Sequence, residues 1–81
     1  MELISTAKIV IAARYDIIDK KVYGNVYCRE TEEKIGTVKE VKRGIVELQV
    51  LPGFEDKEHI KVDFEKLKPE LVDFANFWHA R

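Results

Sequence analysis

Three observations predict a mostly β domain, a small antiparallel barrel of four or five strands with one C-terminal helix. The first is a series of short segments in which apolar and polar residues alternate with the two-residue period of a half-buried strand. The second is the glycine and charge punctuation between those segments, as at Lys42-Arg43-Gly44 and Pro52-Gly53. The third is a change of period after Pro69, where the apolar residues take up helical spacing.

Lys8 to Ile18 opens the β part. Ile9, Ile11, Ala13, Tyr15 and Ile17 share one parity, with Lys8, Arg14 and Asp16 on the other. The β-branched density favours a strand. A helix stays open as an alternative, because Ser5 or Thr6 could cap one and Ala7, Ala12 and Ala13 favour one. As a strand, this segment is expected to offer an unpaired sheet edge for docking by strand addition. Asp19-Lys20 reads as a loop. Lys21 to Glu30 resumes the alternation, with Val22, Gly24, Val26 and Cys28 inward and Tyr23, Asn25, Tyr27 and Arg29 outward. Gly24 inside a strand marks a bulge or a close backbone approach.

Glu30-Thr31-Glu32-Glu33 is a charged turn. In the next run Ile35, Val38 and Val41 stand three apart, which requires a bulge or a sharp bend. Val46, Leu48 and Val50 against Glu47 and Gln49 form the cleanest strand. Gly44 supplies the positive φ of the hairpin before it, and Pro52-Gly53 suits a type II turn after it. His59 to Glu65 alternates again, with Ile60, Val62 and Phe64 inward, and predicts a last strand. Pro69 to Arg81 predicts a helix that begins at Pro69. Leu71, Phe74, Ala75 and Trp78 fall within about 100° of each other on it, a core-facing stripe.

The 81 residues make one domain, with a net charge of −1 and a single cysteine. A core of this size contributes roughly 3–5 kcal/mol net without a disulfide, so a homodimer is expected. The charge is unevenly spread: residues 20–43 carry seven basic and four acidic groups, residues 44–73 four and eight. The longest apolar run, Ile9 to Ala13, is too short to span a bilayer, and Met1-Glu2-Leu3-Ile4 lacks the basic region of an export signal. A cytoplasmic protein without a membrane partner is expected.

Val26 to Val41, VYCRETEEKIGTVKEV, resembles the PRC-barrel superfamily of SH3-like barrels. The shared features are a strand, an acidic turn, an Ile-Gly-x-Val-x-x-Val strand, a hairpin partner and a final strand. Here they correspond to Val22–Arg29, Ile35–Val41, Ile45–Leu51 and Ile60–Phe64. The family includes the C-terminal domain of a ribosome maturation factor and the cytoplasmic part of the reaction-centre H subunit. The resemblance implies docking onto protein or ribonucleoprotein partners and carries no catalytic residues. Residues 1–18 and Phe74 to Trp78 have no counterpart in it.

The residue inventory argues against an enzyme. One serine, one cysteine and two histidines twenty positions apart give no nucleophile–base pair, no metal-ligand spacing and no phosphate loop. No catalytic, cofactor or metal residue is expected. Cys28 reads as a small buried hydrophobe and His59 as a solvated side chain. The expected function is an adaptor that binds a protein partner through Phe74, Phe77 and Trp78, with Phe77 outside the core stripe. The alternative is single-stranded nucleic acid bound on a face carrying Tyr23, Tyr27, Arg29, Lys39, Lys42 and Arg43. Surface aromatics among basic groups stack bases and track phosphates.

Overall fold

The computed structural model describes residues 1–55 and 57–81. Five strands pair in chain order as one antiparallel sheet, followed by one long helix. The strands are β1 (Glu2–Ser5), β2 (Ile9–Asp16), β3 (Lys21–Cys28), β4 (Lys34–Lys42) and β5 (Ile45–Val50), and α1 spans Glu58–His79. Residues 9–16 are thus a strand, which settles the helix alternative.

Alternation decides which face of each strand meets the helix. Ile9, Ile11 and Ala13 of β2, Val22 and Val26 of β3, Val38 of β4 and Val46 of β5 point to one side and are buried. Ile60, Phe64, Leu67, Leu71 and Ala75 of α1 close over them, spaced three or four apart as a helix stripe requires. Gly24 lies where strands approach closely. A Cβ there would stand 2.7 Å from the Ala12 carbonyl oxygen and 2.9 Å from a Val38 methyl. Register shifts at Val26/Tyr27 and Glu40/Lys42 admit one extra residue each, the second being Val41. That is the bulge which the three-residue spacing of Ile35, Val38 and Val41 requires.

Four expectations change. The sheet is open, with β1 and β5 at opposite edges, so no barrel closes. The helix covers the apolar face that closure would otherwise bury. His59 to Glu65 is helical, because Ile60, Phe64, Leu67 and Leu71 continue one stripe while Val62 faces solvent. Ile60 and Phe64 satisfy both the alternating and the helical period, and only the residues beyond them distinguish the two. Pro69 therefore lies inside α1, eleven residues after its start, with its ring exposed. The Lys8 to Ile18 segment is no edge: β2 is paired on both sides, and the edge next to it belongs to β1, a four-residue strand with too few residues to show a period.

Candidate docking site

The helix is fastened at both ends. Near its start Asp63, buried, accepts a hydrogen bond from the Thr6 hydroxyl at 2.8 Å. Thr6 Oγ1 also accepts from the Lys8 and Ile9 amides, which fixes the β1–β2 turn. At its end His79 Nε2 lies 2.7 Å from Glu40 Oε2, and Glu40 is 0% exposed. Glu40 Oε1 accepts from the Val22 amide at 2.9 Å and Oε2 from the Gly44 amide at 2.7 Å. Burial pushes the Glu40 carboxyl up, but the Gly44 amide, His79 and the Val22 amide together bring it below its ordinary 4.5. The other ring nitrogen of His79 is 3.4 Å from the Tyr15 hydroxyl, and Trp78 stacks on Tyr15 at 5.4 Å between ring centres.

Reading by residue inventory misses this cluster. Its two ionisable members are thirty-nine residues apart, and only the sheet register brings them together. One signal is present in the sequence: Glu40 shares the inward parity of Val38, and a charged residue there requires a partner. A carboxylate, an imidazole and a hydroxyl stand in line, but Tyr15 lies flat against Trp78, and among the described residues no buried side-chain nitrogen or oxygen lacks a partner. The arrangement serves as a latch that locks the helix end to β3, to β4 and to the β4–β5 turn. Among the described residues there is no group of three or more side chains suited to a metal ion.

The aromatic trio of α1 does not act as one surface. Phe74 packs against the core and Trp78 against Tyr15, while Phe77 is 53% exposed. Arg81 lies 4.4 Å above the Phe77 ring. All three line a groove of about 790 Å³ between α1 and β1, with Ile4 and Tyr15 also on its walls. Glu2, Glu70 and Asp73 line it as well, against Arg14 on its wall and Arg81 over the Phe77 ring. The outer edge of β1 is unpaired beside it.

The outer face of the sheet, opposite the helix, has no cover of its own. Cross-strand register sets Arg14, Tyr23, Lys39 and Glu47 in one row and Ala12, Asn25, Thr37 and Gln49 in the next. Val10, Tyr27 and Lys34 form a third row. Tyr23 and Tyr27 share this face of the central strand, about 13 Å apart at ~3.3 Å per residue. Tyr23 is partly engaged: its hydroxyl donates to Asp19 at 2.9 Å, which pushes its pKa above the ordinary 10.0, and Arg14 sits 5.7 Å from its ring centre. The other candidates scatter. Arg29 reaches Ser5 Oγ and the Thr6 carbonyl at the opposite end of the sheet from Lys42 and Arg43. Cys28 is half-buried against the core, and hydrogen bonding from Thr31 draws its thiol below 9.0.

No family model, no curated protein and no solved structure matches this chain.

Proposed function

We propose that the protein is a non-catalytic docking module that grips an extended segment of a partner protein along β1. The observation that carries this reading is the unpaired β1 edge beside a groove walled by Ile4, Tyr15, Phe74, Phe77 and Trp78. A strand added there takes its affinity from main-chain hydrogen bonds and its selectivity from alternate side chains entering the groove. Glu2, Glu70 and Asp73 favour a segment that alternates apolar residues with lysine or arginine. A second copy can supply the strand too, by antiparallel pairing of two β1 edges across a two-fold axis.

Selection from a library of extended peptides tests the reading. Binders rich in apolar–basic alternation, lost with Phe77→Ala and kept with Tyr27→Ala, are expected. Sedimentation of the free chain reports a dimer that Phe77→Ala dissociates if the strand comes from a second copy. A library that yields no groove-dependent binder, with a chain that stays monomeric, removes the proposal.

One arrangement favours a second reading, single-stranded nucleic acid on the outer sheet face. Arg14, Tyr23 and Lys39 form a row across three strands, with Tyr27 beyond it. Binding of a labelled oligonucleotide that weakens steeply with salt and disappears in Tyr27→Ala would establish it.

A further inference from the structure

At the end of the molecule where α1 finishes, two hairpin tips stand side by side. One is Asp16-Ile17-Ile18-Asp19-Lys20-Lys21, the other Lys42-Arg43-Gly44-Ile45. Ile17 is 75% exposed and Ile18 91%, and Ile45 of the second tip is exposed too. The first tip is firmly built. Asp16 Oδ1 accepts from the Ile18 and Asp19 amides, each at 2.9 Å, and the Asp16 carbonyl accepts from the Lys20 amide at 2.7 Å. The second is tied to the helix end through Arg43, which donates to the His79 carbonyl at 3.5 Å, and through the Gly44 amide on Glu40. Neither tip needs its isoleucines for the core.

The charges around these side chains are predominantly basic, four cations against two carboxylates. Asp16 and Asp19 keep their charge but are turned to local donors, Asp16 to the turn amides and Asp19 to the Tyr23 hydroxyl. Lys20, Lys42 and Arg43 are exposed and Lys21 is half-exposed. We infer that this end of the molecule docks on an anionic membrane surface, with Ile17 and Ile18 entering the headgroup boundary and Lys20, Lys21, Lys42 and Arg43 meeting lipid phosphates. Apolar insertion and attraction to anionic lipid are the two terms that together hold a peripheral protein on a bilayer. The Cα trace measures 36 × 22 × 18 Å and α1, 22 residues at ~1.5 Å each, runs nearly its full length, so the backbone cross-section at this end is about 400 Å². That is short of the roughly 800 Å² per partner of a stable protein interface. Nucleic acid would use the cations and leave the isoleucines without a role. This inference uses none of the groove residues.

Flotation of the whole chain with vesicles tests it. Binding to equimolar phosphatidylcholine–phosphatidylglycerol vesicles and not to phosphatidylcholine alone is expected, weakening with salt. Lys20→Gln with Lys21→Gln should reduce partition roughly thirtyfold, at the usual ~1 kcal/mol per basic residue. Ile17→Ser with Ile18→Ser should reduce it at least about tenfold while leaving the thermal transition of the free chain in place. No binding to the anionic vesicles overturns the inference. So does binding indifferent to the isoleucines. Loss of self-association in the isoleucine variant would assign the tips to a second copy, and oligonucleotide binding that depends on the lysines alone would assign them to nucleic acid; either overturns it.

Discussion

The two ends of α1 are fastened by unlike devices. At the start a neutral hydroxyl, Thr6, meets Asp63, and Lys66 stands 3.8 Å away at the rim. At the finish His79 meets a carboxylate with no exposed surface and two amides already bound to it. The surroundings differ in the same sense. Around the start lie Glu30, Glu32, Glu33, Glu55 and Glu58 interspersed with Lys8, Arg29, Lys34 and Lys57, and around the finish Lys20, Lys21, Lys42 and Arg43 outnumber Asp16 and Asp19, with Ile17 and Ile18 exposed. A buried charge is costly unless fully partnered, and breaking such a pair leaves that cost uncompensated. The costlier fastening sits where two hairpin tips and an aromatic groove must keep a fixed geometry. Under the docking proposals made above, the finishing end is the working end, and the starting end mainly holds the fold together.

His79→Ala is expected to give the largest effect, since Glu40 keeps its amides but loses the imidazole. The loss should be about 3 kcal/mol in urea unfolding, the low end for a broken buried pair. A loss no greater than that of Thr6→Ala would erase the contrast between the ends. Acid should act through the same group. Because the folded chain holds the Glu40 carboxyl below its ordinary 4.5, the unfolded chain binds more protons as the medium becomes acidic. The stabilisation is therefore complete above that ordinary value and is lost as pH falls through the folded one. In Glu40→Gln that part of the acid sensitivity should vanish, which unfolding curves at a series of pH values would show.

Thr6→Ala follows, at about 1–2 kcal/mol, because it removes a hydrogen bond from a buried carboxylate and unties the β1–β2 turn. The ends should then behave alike in one respect. Lys20 and Glu32 both hold positive φ, 58° and 64°, in their hairpin turns. Lys20→Gly and Glu32→Gly should each stabilise by about 0.5 kcal/mol, since glycine carries no Cβ penalty there. Opposite signs would mean that one side chain has a role beyond its turn. Smallest of all, Ile18→Ser should move folding stability by no more than ~0.5 kcal/mol, as a fully solvated side chain should. A larger loss would return that residue to the core.

Much of the sheet was legible because its strands alternate cleanly, with Val46, Leu48 and Val50 of β5 the plainest case. The misreadings have separate physical causes. Ile60 and Phe64 are four apart, a spacing common to a strand face and a helix turn, so only Leu67 and Leu71 reveal the long helix. Ile17 keeps the parity of Ile9, Ile11 and Tyr15, but the strand ends at Asp16 and the turn carries it into solvent. Closure into a barrel depends on whether two distant edges meet, and no local pattern encodes that. In the site, Phe77 was legible as an exposed aromatic, whereas Phe74 and Trp78 spend most of their surface on the fold. The Glu40–His79 pair was hidden by its separation along the chain. A span-length criterion is likewise blind to peripheral docking, which needs a few tip side chains and not about twenty apolar residues in a row. No helix among the described residues is long and apolar enough to cross a membrane.

Amide hydrogen exchange of the whole chain, free and on equimolar phosphatidylcholine–phosphatidylglycerol vesicles, tests most directly that the finishing end is the working one. Slowed exchange confined to residues 16–21 and 42–45, with residues 29–34 unchanged, is the expected pattern. Slowing centred on residues 29–34, or no difference between the two samples, would contradict it.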